Sequence, residues 1–237
     1  MPTARLDLEY DGGDFAGWAR QPGLRTVQEE LERALATVTR REVALTVAGR
    51  TDRGVHARGQ IASHEGEPAL ADALNGVLPP DVRVLSSARA ADGFDARRDA
   101  LSRTYRYRVF TRRAASPFER GRSWHRPRPP ERAQLDAMAA ALVGTHDFTA
   151  FTPTQTDHVR FERDVFLAEW RDAEEHVLEL WIEADSFMRH MVRTLVGTMM
   201  GGRHGVDDLT ALLAGRPRRE AGDTAPACGL YLESVRY

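Results

Sequence analysis

The first part of the chain alternates between strand-like and helix-like spacing of its apolar positions. Residues 4–10 alternate apolar and polar side chains, which predicts a half-buried strand. From Thr26 the apolar residues recur at helical spacing, and Thr26 with Glu29 forms the pattern of a capping box. The elements predicted next are strands at 42–48, near 60–64 and at 82–89, and a helix over 69–78. The order β-α-β-β-α-β is that of a ferredoxin-like unit.

The rest of the chain repeats this order of elements without repeating the sequence. Strands are predicted at 100–111, near 163–170, at 176–184 and at 229–237, and helices over 130–144, 186–200 and near 207–214. The helix over 186–200 carries a stripe expected in the core: Met188, Met191, Val192, Leu195 and Met199. We therefore expect an α+β protein of two ferredoxin-like halves with antiparallel sheets, residues 1–95 and 96–237. A ligand is expected in a cleft between the halves.

Composition excludes several classes of protein. Of the 237 residues, 42% are hydrophobic and 29% charged, and no apolar run approaches the roughly 18 residues of a membrane span. An apolar signal core is also lacking at the N-terminus, so we expect a cytoplasmic protein without a membrane partner. Cys228 is the single cysteine, and none of the eight histidines has the spacing of a zinc site. No metal is therefore expected.

The net charge of −2 hides an uneven distribution. From Arg89 to Arg128 the chain has twelve Arg and four acidic residues, a local excess of +8. The remainder has 21 Arg and 31 acidic residues, or −10, and all 33 basic residues are Arg. Guanidinium groups form bidentate contacts with phosphate, so this basic segment is a candidate RNA-binding surface. The alternative is a solvated basic face.

One loop, "AGRTDRGVHARGQ" at 48–60, flanks a single carboxylate with arginines. Gly49 and Gly54 allow a tight, exposed backbone, so Asp52 is expected to be displayed rather than packed. A carboxylate beside Arg stays ionised and can serve as a base or a nucleophile, but not as a general acid at neutral pH. In the structural alternative, Asp52 caps a turn and pairs with Arg50 without reacting.

Seven segments together resemble the TruA family of tRNA pseudouridine synthases. They are "YDGGDFAGW" (10–18), "RTVQEELERAL" (25–35), the 48–60 loop, "FDARRDALSRTYRYRV" (94–109), "HDFTAF" (146–151), "SFMRHMVRTLVGTMM" (186–200) and "APACGLYLESVRY" (225–237). The segments occur in the order of the family over nearly the whole chain, and GRTD-x-GVHA is highly specific to it.

The resemblance implies an enzyme that isomerises uridine to pseudouridine at nucleotides 38 to 40 of the tRNA anticodon arm. The N-glycosidic bond is broken, the uracil turns while bound, and its C5 is joined to the same sugar carbon. Neither a metal nor an organic cofactor takes part. The family works as a homodimer in which one anticodon arm contacts both subunits.

The resemblance also implies roles for individual residues. Asp52 matches the essential aspartate, which attacks the sugar or the uracil or assists an elimination. Arg50 matches the arginine that helps displace the target base. Tyr105 matches the tyrosine that packs on the uracil, and its hydroxyl is a candidate for moving a proton. Arg193 matches a basic residue that pairs with the aspartate, and Leu230 matches an apolar pocket residue.

The physics of base extrusion agrees with these roles. Removing a base from a folded RNA arm costs a few kcal/mol, which stacking on an aromatic ring and an inserted Arg can offset. Tyr105 lies within the basic segment, although a core tyrosine would fit the same pattern. Arg189 and Arg193 are expected one turn apart on one helix, so either could reach Asp52. The candidate tRNA-binding arginines are Arg97, Arg98, Arg103, Arg106 and Arg189.

Some positions depart from the family pattern. Ala19 stands where Gln is usual, and Arg53 and Arg58 replace small or apolar residues. These changes leave open the loop geometry and which of the three tRNA positions are accepted. Residues 152–162 show no pattern that can be aligned, and His56 is interpreted as structural because the family mechanism assigns it no proton.

Two other functions fit parts of the sequence. A non-catalytic RNA-binding module would carry aromatic residues in an RNP pattern, which is not found. A glycosidase or nucleoside hydrolase would need a second carboxylate across the scissile bond, and the nearby segments offer only Asp95 and Asp99. An isomerase leaves the tRNA mass unchanged, a hydrolase releases free uracil, and a binding protein does neither.

Overall fold

A computed structural model, which describes residues 2–156 and 158–237, confirms the α+β class. The strands are β1 Thr3–Tyr10, β2 Thr46–Val47, β3 His56–Glu65, β4 Val82–Ala90, β5 Ser102–Phe110, β6 Trp124–His125, β7 Gly144–Asp147, β8 Glu162–Glu174, β9 Val177–Ala184 and β10 Leu230–Arg236. The helices are α1 Val27–Thr39, α2 Ala71–Asn75, α3 Arg132–Ala140, α4 Met191–Met200 and α5 Val206–Leu212.

The chain forms two compact units. The first contains the described residues up to Leu101 together with Tyr231–Tyr237, and the second contains Ser102–Leu230. This grouping differs from the predicted halves, 1–95 and 96–237, because the last strand packs with the first unit. A strand pattern at the end of a chain carries no information about which distant strand it will join, so the local pattern favoured the neighbouring elements.

The first unit has the strand order of a ferredoxin-like sheet, β4-β1-β3-β2, with antiparallel pairs. The same edge of β3 accepts two partners at different points. β2 pairs with it at Ala62 and Ser63, and β10 pairs with it in parallel at His56 and Ala57. The antiparallel pairs of this sheet agree with the prediction, and β10 adds a short parallel pair at this edge. β2 is also much shorter than the predicted strand at 42–48, and just before it the Leu45 backbone N–H donates to Glu32 Oε1 at 3.0 Å.

Helix α1 begins as its sequence predicts. The Thr26 hydroxyl accepts a hydrogen bond from the Glu29 backbone N–H at 3.4 Å, which satisfies one of the unpaired donors of the first turn. The helix ends at Arg40, which has the left-handed conformation. Helix α2 is shorter than the predicted 69–78, since Leu70 supplies no side-chain cap and Gly76 follows its last residue.

The second unit contains a sheet of order β5-β9-β8-β7 with antiparallel pairs. Helix α3 packs on β8 and α4 on β5. The short strands β6 and β7 were not predicted, because two to four residues are too few to show a period of two. β6 pairs with β5 in parallel, which adds a second short parallel pair.

Helix α4 begins at Met191 and not at residue 186 as predicted, because His190 has the left-handed conformation at φ 64°. Arg189 therefore precedes the helix, and the expectation that it lies one helical turn from Arg193 is wrong. The predicted apolar stripe from Met188 to Met199 is confirmed, since all five of its side chains are buried. None of the helices in the described residues is long and apolar enough to cross a membrane.

Candidate active site

The backbone around Asp52 is held by hydrogen bonds on both of its sides. The Thr51 carbonyl accepts from the Trp18 backbone N–H at 3.0 Å, and the Gly54 N–H donates to the Phe15 carbonyl at 3.4 Å. The Val55 N–H donates to the Asp52 carbonyl at 3.1 Å, which closes a tight turn. Asp52 thus opens a turn that is braced from the segment 15–18.

The turn explains one of the loop glycines. Gly54 has φ +78° at the third position of the turn, which is the conformation that a type II turn requires and that glycine adopts without strain. Asp52 is half-buried in this turn, whereas Arg50, Arg53 and Arg58 are exposed. The substituted positions Arg53 and Arg58 therefore contribute charge to the surface of the loop.

A second glycine-rich segment, Gly12 to Trp18, packs against the Asp52 turn. A Cβ atom on Gly12 would lie 1.9 Å from the Val55 carbonyl oxygen. Gly17 has φ +113°, and a Cβ atom there would lie 3.0 Å from the Thr51 carbonyl oxygen. The sequence indicated this segment only through the family resemblance. In the structure, its glycines allow close backbone contact with the Asp52 turn.

A buried chain of hydrogen bonds lies beneath the loop. The Gln60 amide Nε2 donates to the Gly49 carbonyl at 2.8 Å and to the Tyr10 phenol oxygen at 3.2 Å. The Tyr10 hydroxyl lies 2.7 Å from Thr51 Oγ1. A hydrogen bond therefore joins the two hydroxyls, and either of them can be the donor.

This chain stays in one protonation state. Burial raises the pKa of Tyr10 to about 12, so its phenol stays protonated at all physiological pH values. The Gln60 Oε1 accepts from the Ile61 backbone N–H at 3.2 Å, which determines the orientation of the amide. Gly49 and Thr51, the neighbours of Arg50, are thereby anchored. Sequence reasoning missed this support, since 41 residues separate Tyr10 from Thr51.

His56 is buried at the start of β3. The Gly12 backbone N–H donates to its Nδ1 at 3.0 Å, and Asp11 Oδ1 lies 3.1 Å from the same nitrogen. The imidazole stacks on the Tyr231 ring, with centroids 4.6 Å apart. These contacts link β3, β10 and the Gly12 to Trp18 segment within the first unit.

In the second unit, Tyr105 lies on β5 and is 8% exposed. Its ring meets the Phe187 ring edge to face, with centroids 5.0 Å apart and planes at 82°. The Tyr105 ring is thus positioned by an aromatic neighbour. Tyr107, two residues along the strand, donates its hydroxyl to the Pro226 carbonyl at 2.8 Å. Burial raises the pKa of Tyr107 well above its ordinary value.

Arg193 is held against the segment 222–225. Its Nε donates to the Ala225 carbonyl at 2.8 Å, and the Ala225 N–H donates to the Arg193 carbonyl at 3.0 Å. Gly197 permits this contact, because a Cβ atom there would lie 1.8 Å from the Asp223 carbonyl oxygen. Leu230, at the start of β10, is 6% exposed.

The predicted site residues are divided between the two units. Arg50 and Asp52 belong to the first, and Tyr105, Arg193 and Leu230 to the second. Among the described residues, no group of three or more His, Cys, Asp or Glu side chains could hold a metal ion.

The predicted tRNA-binding arginines have different surroundings. Arg97 and Arg98 are exposed, and their backbone N–H groups both donate to Asp95 Oδ1 at 2.8 Å. Arg189 is also exposed. Arg103 and Arg106 are each 8% exposed and donate to groups of their own unit. The acceptors are the Asp185 carbonyl, 2.9 Å from Arg103 Nη1, and Glu179 Oε1, 2.7 Å from Arg106 Nη1.

The two carboxylates considered as a second catalytic group are engaged locally. Asp95 caps the turn of Arg97 and Arg98, and Asp99 pairs with Arg98 at 2.8 Å. The Arg98 guanidinium lowers the pKa of the Asp99 carboxyl. A carboxylate of lowered pKa is a poor general acid, which a glycosidase requires.

Comparisons with known proteins agree with the motif. A family model described as tRNA pseudouridine synthase matches residues 138–237. A tRNA pseudouridine synthase A from Bacillus pumilus is 37% identical over 243 residues, which is 98% of each chain. One from Moorella thermoacetica is 40% identical over all of both chains, and one from Frankia casuarinae is 45% identical over 98% of this chain and 88% of the relative. Identity at this level over nearly the whole length shows that the chain belongs to the tRNA pseudouridine synthase A family.

Proposed function

We propose that the chain isomerises uridine to pseudouridine in the anticodon arm of tRNA, at nucleotides 38 to 40, with Asp52 as the essential carboxylate. The observation that carries this proposal is the position of Asp52 at the start of a turn braced by the Gly12 to Trp18 segment and by Tyr10 and Gln60. A group anchored in this way can act without reorganising during the reaction. Membership of the family supplies the tRNA substrate.

The proposed reaction needs no cofactor. The bond from uracil N1 to the sugar C1′ breaks, the bond from C5 to C1′ forms, and the C5 proton is finally transferred to N1. The atoms of substrate and product are the same, so no oxidant, reductant or water is consumed. An aspartate carboxylate can supply the nucleophile or the base that this sequence requires.

The other site residues are proposed to bind and orient the nucleotide. Arg50 is exposed beside Asp52 and takes the place of the extruded base. Tyr105 packs on the uracil, and its hydroxyl is the candidate for moving the C5 proton. Arg193 provides positive charge for the aspartate, and Leu230 provides apolar surface for the base.

We further propose that the enzyme works as a homodimer in the cytoplasm. The single cysteine, Cys228, fits a reducing compartment, and the dimer is inferred from the family. Sedimentation equilibrium of the purified chain measures the dimer directly.

The function is tested by incubating the protein with an unmodified tRNA that carries uridines in the anticodon arm. Pseudouridine is expected at one or more of nucleotides 38 to 40, with unchanged tRNA mass and no free uracil. Release of uracil would establish a hydrolase instead. Binding without either change would leave a non-catalytic RNA-binding protein.

Arg97→Ala and Arg98→Ala are expected to weaken tRNA binding and to flatten its salt dependence. Each lost phosphate contact lowers the slope of log K against log salt by roughly one unit. Binding titrations at several salt concentrations measure the slope. Arg132→Ala is the matched control. This α3 arginine pairs with Asp136 and Asp172, as Arg98 pairs with Asp99, but it lies outside the basic segment. An unchanged slope in the Arg97 and Arg98 variants would show that this surface does not contact the tRNA.

Tyr10→Phe is expected to slow the single-turnover rate by about tenfold to a hundredfold while tRNA affinity changes little. The reason is that the loss of the Thr51 anchor loosens the Asp52 turn, and small displacements of a reacting group cost rates of this size. Thr51→Val should slow the rate similarly, whereas Thr51→Ser, which keeps the hydroxyl, should keep the parental rate.

Tyr237→Phe is the control for Tyr10→Phe. It also removes a phenol hydrogen bond in the first unit, to the Ala96 carbonyl at 2.7 Å. Equal rate losses in the Tyr10 and Tyr237 variants would mean that only general stability had changed.

A further inference from the structure

The connection between β5 and β6, residues 111–123, displays an aromatic ring on the surface; we call it the Phe118 loop. Phe118 is 88% exposed, the highest value among the exposed aromatic side chains of the described residues. Arg113 and Arg120, on either side of it, are also exposed. An exposed ring of this size gains little from folding, so Phe118 contributes little to the core of its unit.

The exposure of Phe118 is built into an ordered turn. The Phe118 N–H donates to Ser116 Oγ at 3.3 Å, and the Glu119 N–H donates to the Ser116 carbonyl at 3.3 Å. Within the loop, the Arg112 guanidinium donates to the Ala114 and Ala115 carbonyls at 3.0 and 3.2 Å. The ring is therefore presented by a hydrogen-bonded backbone.

The outward charge of the Phe118 loop is positive. It contains four arginines and one carboxylate, Glu119. That carboxylate turns inward to Arg108 at 3.3 Å, and its side chain is only 18% exposed. Its charge is thus compensated within the second unit, which leaves arginines around the exposed ring.

We propose that the Phe118 loop is an additional RNA-binding surface, where Phe118 stacks on an unpaired base and Arg113 and Arg120 bind the flanking phosphates. Aromatic rings among arginines suit single-stranded RNA, since every base offers a face for stacking and every nucleotide a phosphate. A symmetric contact of this loop with itself in a second copy would instead bring arginines against arginines. The proposal rests on the proposed tRNA substrate and names a further contact to it.

The test compares Phe118→Ala, Phe118→Leu and Phe118→Trp in binding to an unmodified tRNA. Base stacking lost in the Ala variant should weaken binding roughly 5- to 150-fold, and Trp should retain it. Leu keeps apolar area without a π face, so it should behave like Ala. Arg113→Ala and Arg120→Ala should each lower the salt slope by roughly one unit.

The controls separate the possible outcomes. Because Phe118 is so exposed, its variants should keep the parental melting temperature. Leu70→Ala removes another exposed apolar side chain, 77% exposed, and should not change binding. Parental affinity in all Phe118 variants, with an active parent, overturns the proposal, and an inactive parent overturns the proposed function instead. If a Phe118 variant has a lower sedimentation coefficient than the parent in the absence of RNA, the Phe118 loop lies in a contact between copies. That result also overturns the proposal.

Discussion

Asp52→Ala and Asp52→Asn are expected to fold and to bind tRNA, yet to lose activity by about a thousandfold or more. Deleting a group that acts as nucleophile or base removes a step of the reaction rather than a contact of the ground state. The turn itself should survive, because its hydrogen bonds are made by the Asp52 carbonyl and by the backbones of Phe15, Trp18 and Thr51.

Single-turnover pseudouridine formation and tRNA affinity measure the two parts of this prediction separately. Asp72→Asn is a suitable control, since it removes the charge of an exposed aspartate on α2 in the same unit. Turnover of an Asp52 variant within about tenfold of the parent would refute the assignment. A melting temperature near that of the parent is required for the comparison to be valid.

Tyr105→Phe is expected to abolish turnover while leaving tRNA affinity nearly unchanged, if the hydroxyl moves a proton. Loss of a proton donor or acceptor removes transition-state stabilisation and leaves ground-state binding intact. If the ring only stacks, Tyr105→Phe should retain most of the activity, and Tyr105→Leu should lose the roughly 1 to 3 kcal/mol of base stacking. We favour proton transfer, because stacking alone would be served equally by Phe.

The structure suggests how to control this experiment. Tyr105→Leu also loses the edge-to-face contact with Phe187, so its stability must be measured beside its rate. Tyr107→Phe removes the neighbouring buried hydroxyl, which donates to the Pro226 carbonyl, and should reduce stability without an effect on the chemical step. A fully active Tyr105→Phe would exclude the proton-transfer role.

Local patterns of the sequence determined much of the architecture. The Thr26 cap of α1 is encoded within the first turn of the helix, and the apolar stripe from Met188 to Met199 within about three turns. Local spacing therefore predicts both directly. The order of strands and helices in the first unit follows in the same way. The GRTD motif and its resemblance identified the Asp52 loop as the candidate site, because a glycine-flanked carboxylate among arginines is an uncommon local pattern.

Only the tertiary structure decided the contacts between distant segments. The parallel pairing of β10 with β3 and the partners of Tyr10 and Arg106 join residues tens to more than a hundred positions apart. The left-handed residue His190 moved the start of α4 although helical spacing continued before it. Periodicity specifies which face of a helix or strand is apolar. The partner that each element contacts, whether a strand, a hydroxyl or a carboxylate, depends on how the whole chain packs.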